Sequence, residues 1–165
     1  MSSDREDSPR IFTIEEANAM VPRLTDVVGQ QIDLGEQIRA LVGELWELSD
    51  PSNHDVEQLL PGVFDDAAVL DMSIRPEDSA AVKKLKRTLA EYVQRYRAGW
   101  REVQSTGAVI KDTQLGLLDF YGRVDDRIVW LCWKYGEPTV DWYHELDTGF
   151  GARKSLRDVK KRMLN

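Results

Sequence analysis

The spacing of apolar side chains changes from a helical to an alternating pattern near Gly107. Before this glycine, apolar residues recur at steps of three and four, which is typical of one buried helix face. After it, apolar and polar residues alternate, as they do along strands. The chain is therefore predicted to be α+β, with a long antiparallel helical hairpin packed with a small antiparallel sheet of about three strands and a C-terminal helix.

Two long helices are predicted before Gly107. The first covers 13–48 and begins with a capping box, in which the Thr13 hydroxyl and the Glu16 carboxylate bond each other's backbone amides. Pro22 has no amide donor, so we expect a short helix, a kink and then a long helix. The second helix covers 76–106. Their apolar stripes are Val21, Leu24, Val28, Ile38, Val42 and Leu45, and Val82, Leu85, Leu89, Tyr92, Tyr96 and Val103.

Length and composition predict one domain. The chain has 165 residues, of which 42% are apolar, enough for a hydrophobic core without disulfides. We expect a disordered tail over 1–10 and a single domain over 11–165. Within it, 49–75 is expected to be a loop or lobe between the helices, 107–147 a small sheet, and 148–165 a basic helix.

The strands of the sheet are predicted from alternation and turn residues. A hairpin of 115–121 and 127–135 is closed across 122–126, and a third strand covers 139–146. The first hairpin strand is preceded by Val109 and Ile110, which can start another strand. The second hairpin strand is apolar on both faces over 128–133, so both faces of the sheet are expected to be covered.

Composition also excludes several classes of protein. No apolar run approaches the roughly 20 residues that a membrane-spanning helix needs. The amino terminus lacks the pattern of a secretory signal, so we expect a cytoplasmic protein. Cys132 is the single cysteine and permits no internal disulfide. The net charge of −7 argues against a nucleic-acid partner.

Positive charge is concentrated at the carboxyl end, over 153–165. This segment could bind an acidic protein or ligand. The more ordinary alternative is a solvated amphipathic helix with Leu156, Val159 and Met163 on its apolar side. The glycines Gly149 and Gly151 precede it, an arrangement whose amides can bind an anion, although two glycines more often mark a turn.

His144 is the residue most suggestive of a chemical site. Alternation places it on one strand face with Val140, Trp142 and Leu146. A histidine in such surroundings is most often a core residue that is hydrogen-bonded to one carboxylate or carbonyl. The alternatives are a metal ligand or an acid/base group.

Carboxylates that could join His144 are predicted in the same region. Asp119 shares a strand face with apolar residues, which favours a paired carboxylate, and it is the best candidate partner for His144. Glu137 and Asp147 could converge on the same point. One histidine with such carboxylates suits one divalent ion, namely zinc, manganese or iron.

Other catalytic arrangements have little support. The sequence contains no HExxH, CxxC or paired ExxH motif, which argues against a standard zinc protease or a di-iron bundle. Cys132 lies among bulky apolar residues, where a small buried thiol is commoner than a nucleophile. A dense aromatic set near the end of the chain could form an interface or line a pocket, although core packing is the default. This candidate interface or pocket consists of Trp130, Trp133, Trp142, Tyr143, Phe150 and Arg153.

Three strings also carry a resemblance to a known family: FTIEEANAMVP, LGLLDF and LCWKYGEPTVDWYHELDTGFGAR. Together they resemble the bacterial domain-of-unknown-function family 2203 over nearly the whole chain. The resemblance implies a helical hairpin, with coiled-coil character, joined to a small sheet, and it implies no assigned reaction. The residues that match the family's motifs are Glu15, Glu16, Asn18, Pro22, Asp119, Trp133, Gly136, Glu137, His144, Glu145, Gly149, Phe150 and Arg153.

Two functions are therefore expected from the sequence. The first is an interaction or scaffold module that forms a homo-oligomer through its helical hairpin and aromatic sheet. The alternative is a metal-binding protein, or a small metal-dependent hydrolase or lyase, with a site of histidine and carboxylates.

Overall fold

The computed structural model describes residues 8–49 and 73–163 of the chain, with side chains as far as 161. Most of the expected tail 1–10 and loop 49–75 lies outside these residues. The elements are α1 (Ile14–Ser49), α2 (Ala80–Ser105), β1 (Val109–Asp112), β2 (Leu117–Val124), β3 (Arg127–Lys134), β4 (Trp142–His144), a 3₁₀ turn (Phe150–Ala152), β5 (Lys154–Ser155) and α3 (Arg157–Met163).

The predicted capping box is present at the start of α1. The Thr13 amide donates to Oε2 of Glu16 at 2.9 Å, and the Glu16 amide donates to Oγ1 of Thr13 at 3.1 Å. These two bonds satisfy backbone donors that have no partner inside the helix. The capping box therefore sets where α1 begins.

The sequence predicts a short helix, a kink at Pro22 and then a long helix. In the structure, one helix continues through Pro22 to Ser49. A proline inside a helix removes one hydrogen bond and costs about 3 kcal/mol. Pro22 itself is exposed, whereas its neighbours Val21 and Leu24 are buried. Burial of these neighbours offsets the lost bond and keeps this turn helical.

The second helix begins at Ala80, a turn later than the predicted residue 76. Ser79 caps it, since its hydroxyl accepts the Val82 amide at 3.2 Å. Before the cap, the Arg75 amide donates to Oδ2 of Asp78 at 2.8 Å, which closes a turn around Pro76.

The predicted apolar stripes form the helical core. All six stripe residues of α1 are buried, and in α2 the buried members are Val82, Leu89, Tyr96 and Val103. Arg23, near the start of α1, pairs with Glu102, near the end of α2, at 2.6 Å. The start of α1 therefore lies beside the end of α2, as an antiparallel hairpin requires.

The sheet has five antiparallel strands in the order β1-β2-β3-β4-β5, where about three were expected. The fifth strand lies inside the predicted helix 148–165, which is wrong over its first part. Lys154 pairs with Tyr143 and Ser155 with Trp142, so the chain is held in the sheet there. The helix α3 is correspondingly confined to Arg157–Met163.

A two-residue turn joins β2 to β3. Asp125 and Asp126 have φ angles of 49° and 62°, the left-handed conformation that a tight hairpin turn of primed type requires. The first hairpin strand therefore runs on to Val124, three residues past its predicted end at 121, and the predicted loop over 122–126 is wrong over 122–124. This turn fixes the register, which pairs Asp119 with Cys132.

The first face of the sheet is covered by the start of the chain and by α1. The Phe12 and Phe120 rings meet edge to face, with centroids 5.2 Å apart. Gly116 lies so close to Val28 of α1 that a Cβ there would be 2.7 Å from its Cγ1. This helix-covered face carries Leu118, Phe120, Val129, Leu131, Trp133 and Tyr143.

The opposite face of the sheet carries the candidate site. We call it the tryptophan face, and its residues share one side because directly paired residues point the same way. Its members on the central strands are Asp119, Tyr121, Trp130, Cys132, Trp142 and His144.

The chain divides into two compact units, and a single domain over 11–165 stays a prediction. The first comprises Met1–Ile32 and Trp100–Asn165 and contains the sheet. The second comprises Asp33–Gly99, and in it the buried Lys86 donates to Asp78 at 2.7 Å and to the Ser73 carbonyl at 2.8 Å. None of the described helices is both long and apolar enough to span a membrane.

Candidate metal centre

Three buried polar side chains meet on the tryptophan face. Asp119 comes from β2, Cys132 from β3 and His144 from β4, so neighbouring strands each contribute one residue. Their exposed fractions are 1%, 0% and 2%. Asp119 lies directly opposite Cys132, and His144 lies opposite Trp130, two residues further along β3 on the same face.

Both ring nitrogens of His144 contact acceptor atoms. Nδ1 lies 3.0 Å from the Glu145 carbonyl oxygen, and Nε2 lies 2.9 Å from Oδ2 of Asp119. Since a carbonyl only accepts, Nδ1 must donate. A hydrogen bond between Nε2 and Oδ2 then requires a second proton. Either Nε2 carries it, so that an imidazolium donates to a carboxylate, or Oδ2 carries it, so that a neutral carboxyl group donates to Nε2. The predicted pairing of His144 with Asp119 is therefore present in the structure.

Asp119 is not fully satisfied by this bond. Burial raises the pKa of its carboxyl group, and the nearby His144 acts in the opposite direction. Its second oxygen, Oδ1, is buried and has no well-aligned hydrogen-bond partner within the described residues. A buried oxygen without a partner loses its hydration without compensation. This oxygen is consequently available to a ligand.

Cys132 completes the group as a neutral thiol. Burial and the adjacent Asp119 raise the pKa of the thiol to about 12, and Arg153 acts in the opposite direction. A thiol with such a pKa is a weak nucleophile near neutral pH, because the thiolate is the reactive form. A metal ion would change this state, since metal coordination deprotonates a thiol.

The donor atoms of the group are close enough for one metal ion. One ligand atom from each of Asp119, Cys132 and His144 lies within 4.8 Å of the others. Tetrahedral zinc with these ligand types has ligand atoms about 3.3–3.8 Å apart, from its usual bond lengths. Small rotations of side chains would therefore suffice. A thiolate together with an imidazole favours zinc or iron over manganese.

Of the four metal ligands that the sequence suggested, the structure brings together two. Asp119 and His144 meet, whereas Glu137 and Asp147 lie outside the group. Glu137 accepts from Arg153 at 2.7 Å through Oε1 and from the Lys134 amide at 2.9 Å through Oε2, so both oxygens are engaged in its turn. Asp147 is exposed.

Cys132 is the member of the group that sequence analysis missed. The signal was the turn of Asp125 and Asp126. If these two residues alone connect the strands, Asp119 and Cys132 must be partners, because each lies six residues from the nearer turn residue. A longer predicted loop left this register open.

The aromatic residues proposed for an interface or pocket are divided between the interior and the surface. Trp133 is fully buried on the helix-covered face and donates to the Glu137 carbonyl at 2.9 Å, and Tyr143 is also buried there. Trp130 is buried beneath Lys111, whose Nζ lies 4.1 Å from the ring centroid. Only Trp142 and Phe150 of this aromatic set are classed as exposed, each at 37%.

Three cations of the described carboxyl end pair with carboxylates. Arg153 pairs with Glu137 at 2.7 Å, Lys154 with Glu145 at 3.3 Å, and Lys160 with Asp141 at 3.3 Å. As predicted, Leu156 and Val159 are buried, while the side chain of Met163 lies outside the described residues. Gly149 and Gly151 belong to a turn around the 3₁₀ segment, which is the ordinary alternative for these glycines.

Comparison with known proteins gives a family but no activity. A family model described as "Uncharacterized conserved protein (DUF2203)" matches residues 10–156. No curated protein and no solved structure matches the chain. Since the match covers most of its length, the chain belongs to this family of uncharacterized conserved proteins, domain-of-unknown-function family 2203.

Proposed function

We propose that the protein binds one divalent transition-metal ion, zinc or iron(II), through Asp119, Cys132 and His144. The observation that carries this proposal is the group of three buried donor atoms within 4.8 Å of one another. One oxygen of Asp119 in this group has no well-aligned hydrogen-bond partner in the described part of the chain, although the Cys132 thiol interacts with this carboxylate. A metal ion would satisfy that oxygen and would use all three residue types as ligands that zinc accepts.

The hydrogen bond at Nδ1 of His144 supports the proposal. Histidine ligands usually donate their other ring N–H to a carbonyl or carboxylate, which fixes the ring and selects the ligating nitrogen. Here Nδ1 contacts the Glu145 carbonyl at 3.0 Å, so Nε2 is the nitrogen directed towards Asp119. Nε2 would be the metal ligand.

Charge balance supports the same assignment. On binding, the ion replaces the proton held between Nε2 and Asp119, and it also displaces the thiol proton of Cys132. The carboxylate and the thiolate then carry two negative charges, which a divalent ion neutralises. The net charge of the buried group would therefore be the same with and without the ion, because two protons leave as two positive charges arrive.

The part of the chain that the structure describes offers three ligands, the number that is typical of a catalytic metal centre. Structural zinc sites usually have four protein ligands, whereas catalytic sites have three and leave one position for water or substrate. Water bound there would become acidic enough to act as a nucleophile near neutral pH. A metal-dependent hydrolase or lyase is the class of enzyme that such a centre would serve.

Zinc affinity of purified, untagged protein, measured against a competing chelator, tests this proposal. The variants Asp119→Asn, Cys132→Ser and His144→Gln should each bind zinc at least about 100-fold more weakly, because each removes one ligand. Asp147→Asn is the matched control and should leave the affinity unchanged, since Asp147 lies outside the group. Absence of zinc and iron(II) binding by the wild type, or unchanged affinity in the three ligand variants, would contradict the proposal.

A second candidate function is self-association through the exposed aromatic residues. The guanidinium of Arg153 lies over the rings of both Trp142 and Phe150, and each of these aromatic residues is 37% exposed. Exposed aromatic rings that flank an arginine are a common composition for protein interfaces. Light scattering after size-exclusion chromatography should show a dimer or larger species that Trp142→Ser weakens, and a strictly monomeric protein would contradict this candidate.

A further inference from the structure

A groove of about 530 Å³ lies beside the turn that joins β2 to β3. It is lined by residues 11–15, by residues 123–126 and by Val159 of α3, all of which belong to the first compact unit. Ligand-binding pockets usually have volumes of about 300–1,000 Å³, so the groove is large enough to bind a ligand. It shares no residue with the proposed metal centre.

The walls of the groove are held in place by hydrogen bonds. The Phe12 amide donates to the Tyr121 carbonyl at 2.7 Å, which fastens the segment before α1 to β2. The capping box of Thr13 and Glu16 then fixes the first turn of α1. A site whose walls are already ordered loses little conformational entropy when it binds a ligand.

The apolar part of the lining offers one side chain to solvent. Its members are Phe12, Ile14, Val124 and Val159, which are buried, and Ile11, which is 39% exposed. An apolar side chain of a ligand that covered Ile11 would remove this surface from water, which is favourable.

The charged part of the lining is mainly acidic. It consists of the exposed residues Glu15, Asp125 and Asp126, together with Arg123. Asp125 lies 3.8 Å from Arg127, whereas no residue in the described part of the chain pairs with the side chain of Glu15 or Asp126. Carboxylates beside an exposed isoleucine complement a ligand that carries both positive charge and an apolar group.

The first turn of α1 adds backbone donors to the lining. A helix leaves its first amides without a partner inside the helix, and the capping box satisfies those of Thr13 and Glu16. The next two amides, of Ile14 and Glu15, belong to residues that line the groove. The surrounding carboxylates disfavour an anion there, so these amides suit a neutral carbonyl oxygen. A peptide backbone supplies such oxygens, which favours a peptide over a simple amine.

Charge also argues against two occupants that this chain could supply. Residues 1–7 contain three acidic residues and one basic residue, so they have the same sign of charge as the groove. A second copy of the chain has a net charge of −7 and would be repelled. The complementary occupant is therefore a basic segment of another protein.

We infer that this groove binds a short basic peptide segment of a partner protein. An apolar side chain of the peptide would pack on Ile11, and its lysine or arginine side chains would pair with Glu15 and Asp126. This interaction surface is separate from the proposed metal centre and does not depend on it.

A random peptide library displayed on phage and selected on immobilised full-length protein supplies the probes for the test. Selection at low ionic strength, where exposed charges are least screened, should enrich peptides in which lysine or arginine lies next to an apolar residue. The dissociation constant of a labelled, enriched peptide is then measured by fluorescence anisotropy for the wild type and for each variant.

One pair of variants tests the apolar contact. Ile11→Ser should weaken binding of the peptide about tenfold, because it removes the apolar surface that the peptide covers. Leu146→Ser is the matched control, since Leu146 is also exposed but lies outside the groove. This control should bind the peptide as the wild type does.

The charged residues should change the affinity in opposite directions. Glu15→Gln combined with Asp126→Asn should weaken binding about fivefold or more, whereas Arg123→Gln should strengthen it about twofold, because it removes a repulsive charge. Asparagine accepts the φ of 62° at position 126, so the turn is retained. Asp147→Asn is the control for a general effect of charge and should leave the affinity unchanged, since Asp147 lies outside the groove.

Several outcomes would overturn the inference. They are the absence of any enriched peptide, enrichment of acidic peptides, and equal losses of affinity in Ile11→Ser and Leu146→Ser. A dimer of the wild type that Ile11→Ser dissociates would place a second copy in the groove and would overturn it as well. Weaker binding by Arg123→Gln would show that the acidic residues do not select the ligand, which also contradicts the inference.

Discussion

Nε2 of His144 lies 2.9 Å from Oδ2 of Asp119, and the side chains of both residues are almost completely buried. They are 25 residues apart in the sequence and come from β4 and β2, which are separated in the sheet by β3. The Glu145 carbonyl occupies the other ring nitrogen. The two residues therefore share one proton. Each side chain needs the other as its hydrogen-bond partner or as its counter-charge.

This dependence predicts strong coupling between the two residues in the metal-free protein. Asp119→Leu leaves a buried imidazole without its partner, and His144→Phe leaves a buried carboxyl group without its partner. Each should lower the free energy of unfolding by about 3 kcal/mol. The double variant should lose at least about 1 kcal/mol less than the sum of the two. Urea denaturation gives the free energy of unfolding of the wild type, the two single variants and the double variant. Additive losses of this free energy would contradict the pairing.

Cys132 should be unreactive in the folded, metal-free protein. It is 0% exposed, and burial raises the pKa of its thiol to about 12, so little thiolate is present near neutral pH. Alkylation by iodoacetamide at pH 8 should be more than about 100-fold slower in the folded protein than in denaturant. Rates within tenfold of each other would show that the thiol is accessible and ionised.

Gly122 is predicted to be intolerant of a side chain. A Cβ there would overlap Cγ of Leu131, which lies on the neighbouring strand and is fully buried in the helix-covered face. Gly122→Ala should lower the free energy of unfolding by about 2 kcal/mol through overpacking. Gly149→Ala is the matched control, because nothing lies within 4 Å of its Cβ position and its φ is −129°. Equal melting temperatures for the two variants would contradict this packing.

The pair of Asp78 and Lys86 should make stability depend on pH in acid. The Arg75 amide and then Lys86 lower the pKa of Asp78 in the folded state from its usual 3.8. A depressed carboxyl pKa adds stability above the unfolded value, and this contribution is lost as the pH falls through the folded value. The difference in unfolding free energy between wild type and Asp78→Asn should therefore be largest above about pH 5 and should shrink below pH 4. A difference that stays constant over this range would contradict the role of the charge.

Local features of the fold were predictable from the sequence, because they depend on near neighbours. The capping box of Thr13 and Glu16 needs only residues within one turn, and the apolar stripes follow from helical spacing. The continuation of α1 through Pro22 was not predictable in this way. The sequence places Val21 and Leu24 on the buried face, but how much their burial stabilises this turn depends on packing by residues distant in the sequence.

The candidate site was predictable in part. Alternation placed His144 and Asp119 towards the interior. Their pairing was predictable because a buried carboxylate without a hydrogen-bond partner would cost free energy. Cys132 required the register of β2 and β3, which the turn of Asp125 and Asp126 determines. Aspartates tolerate the left-handed conformation less well than glycine or asparagine, so this turn carried a weak sequence signal.

The metal content of untagged protein purified without added chelator tests the central claim most directly. Elemental analysis should find about one equivalent of zinc or iron per chain, and the Cys132→Ser variant purified in the same way should have lost most of it. Less than about one tenth of an equivalent in the wild type, with no uptake when either metal is added back, would contradict the assignment of Asp119, Cys132 and His144 as a metal centre.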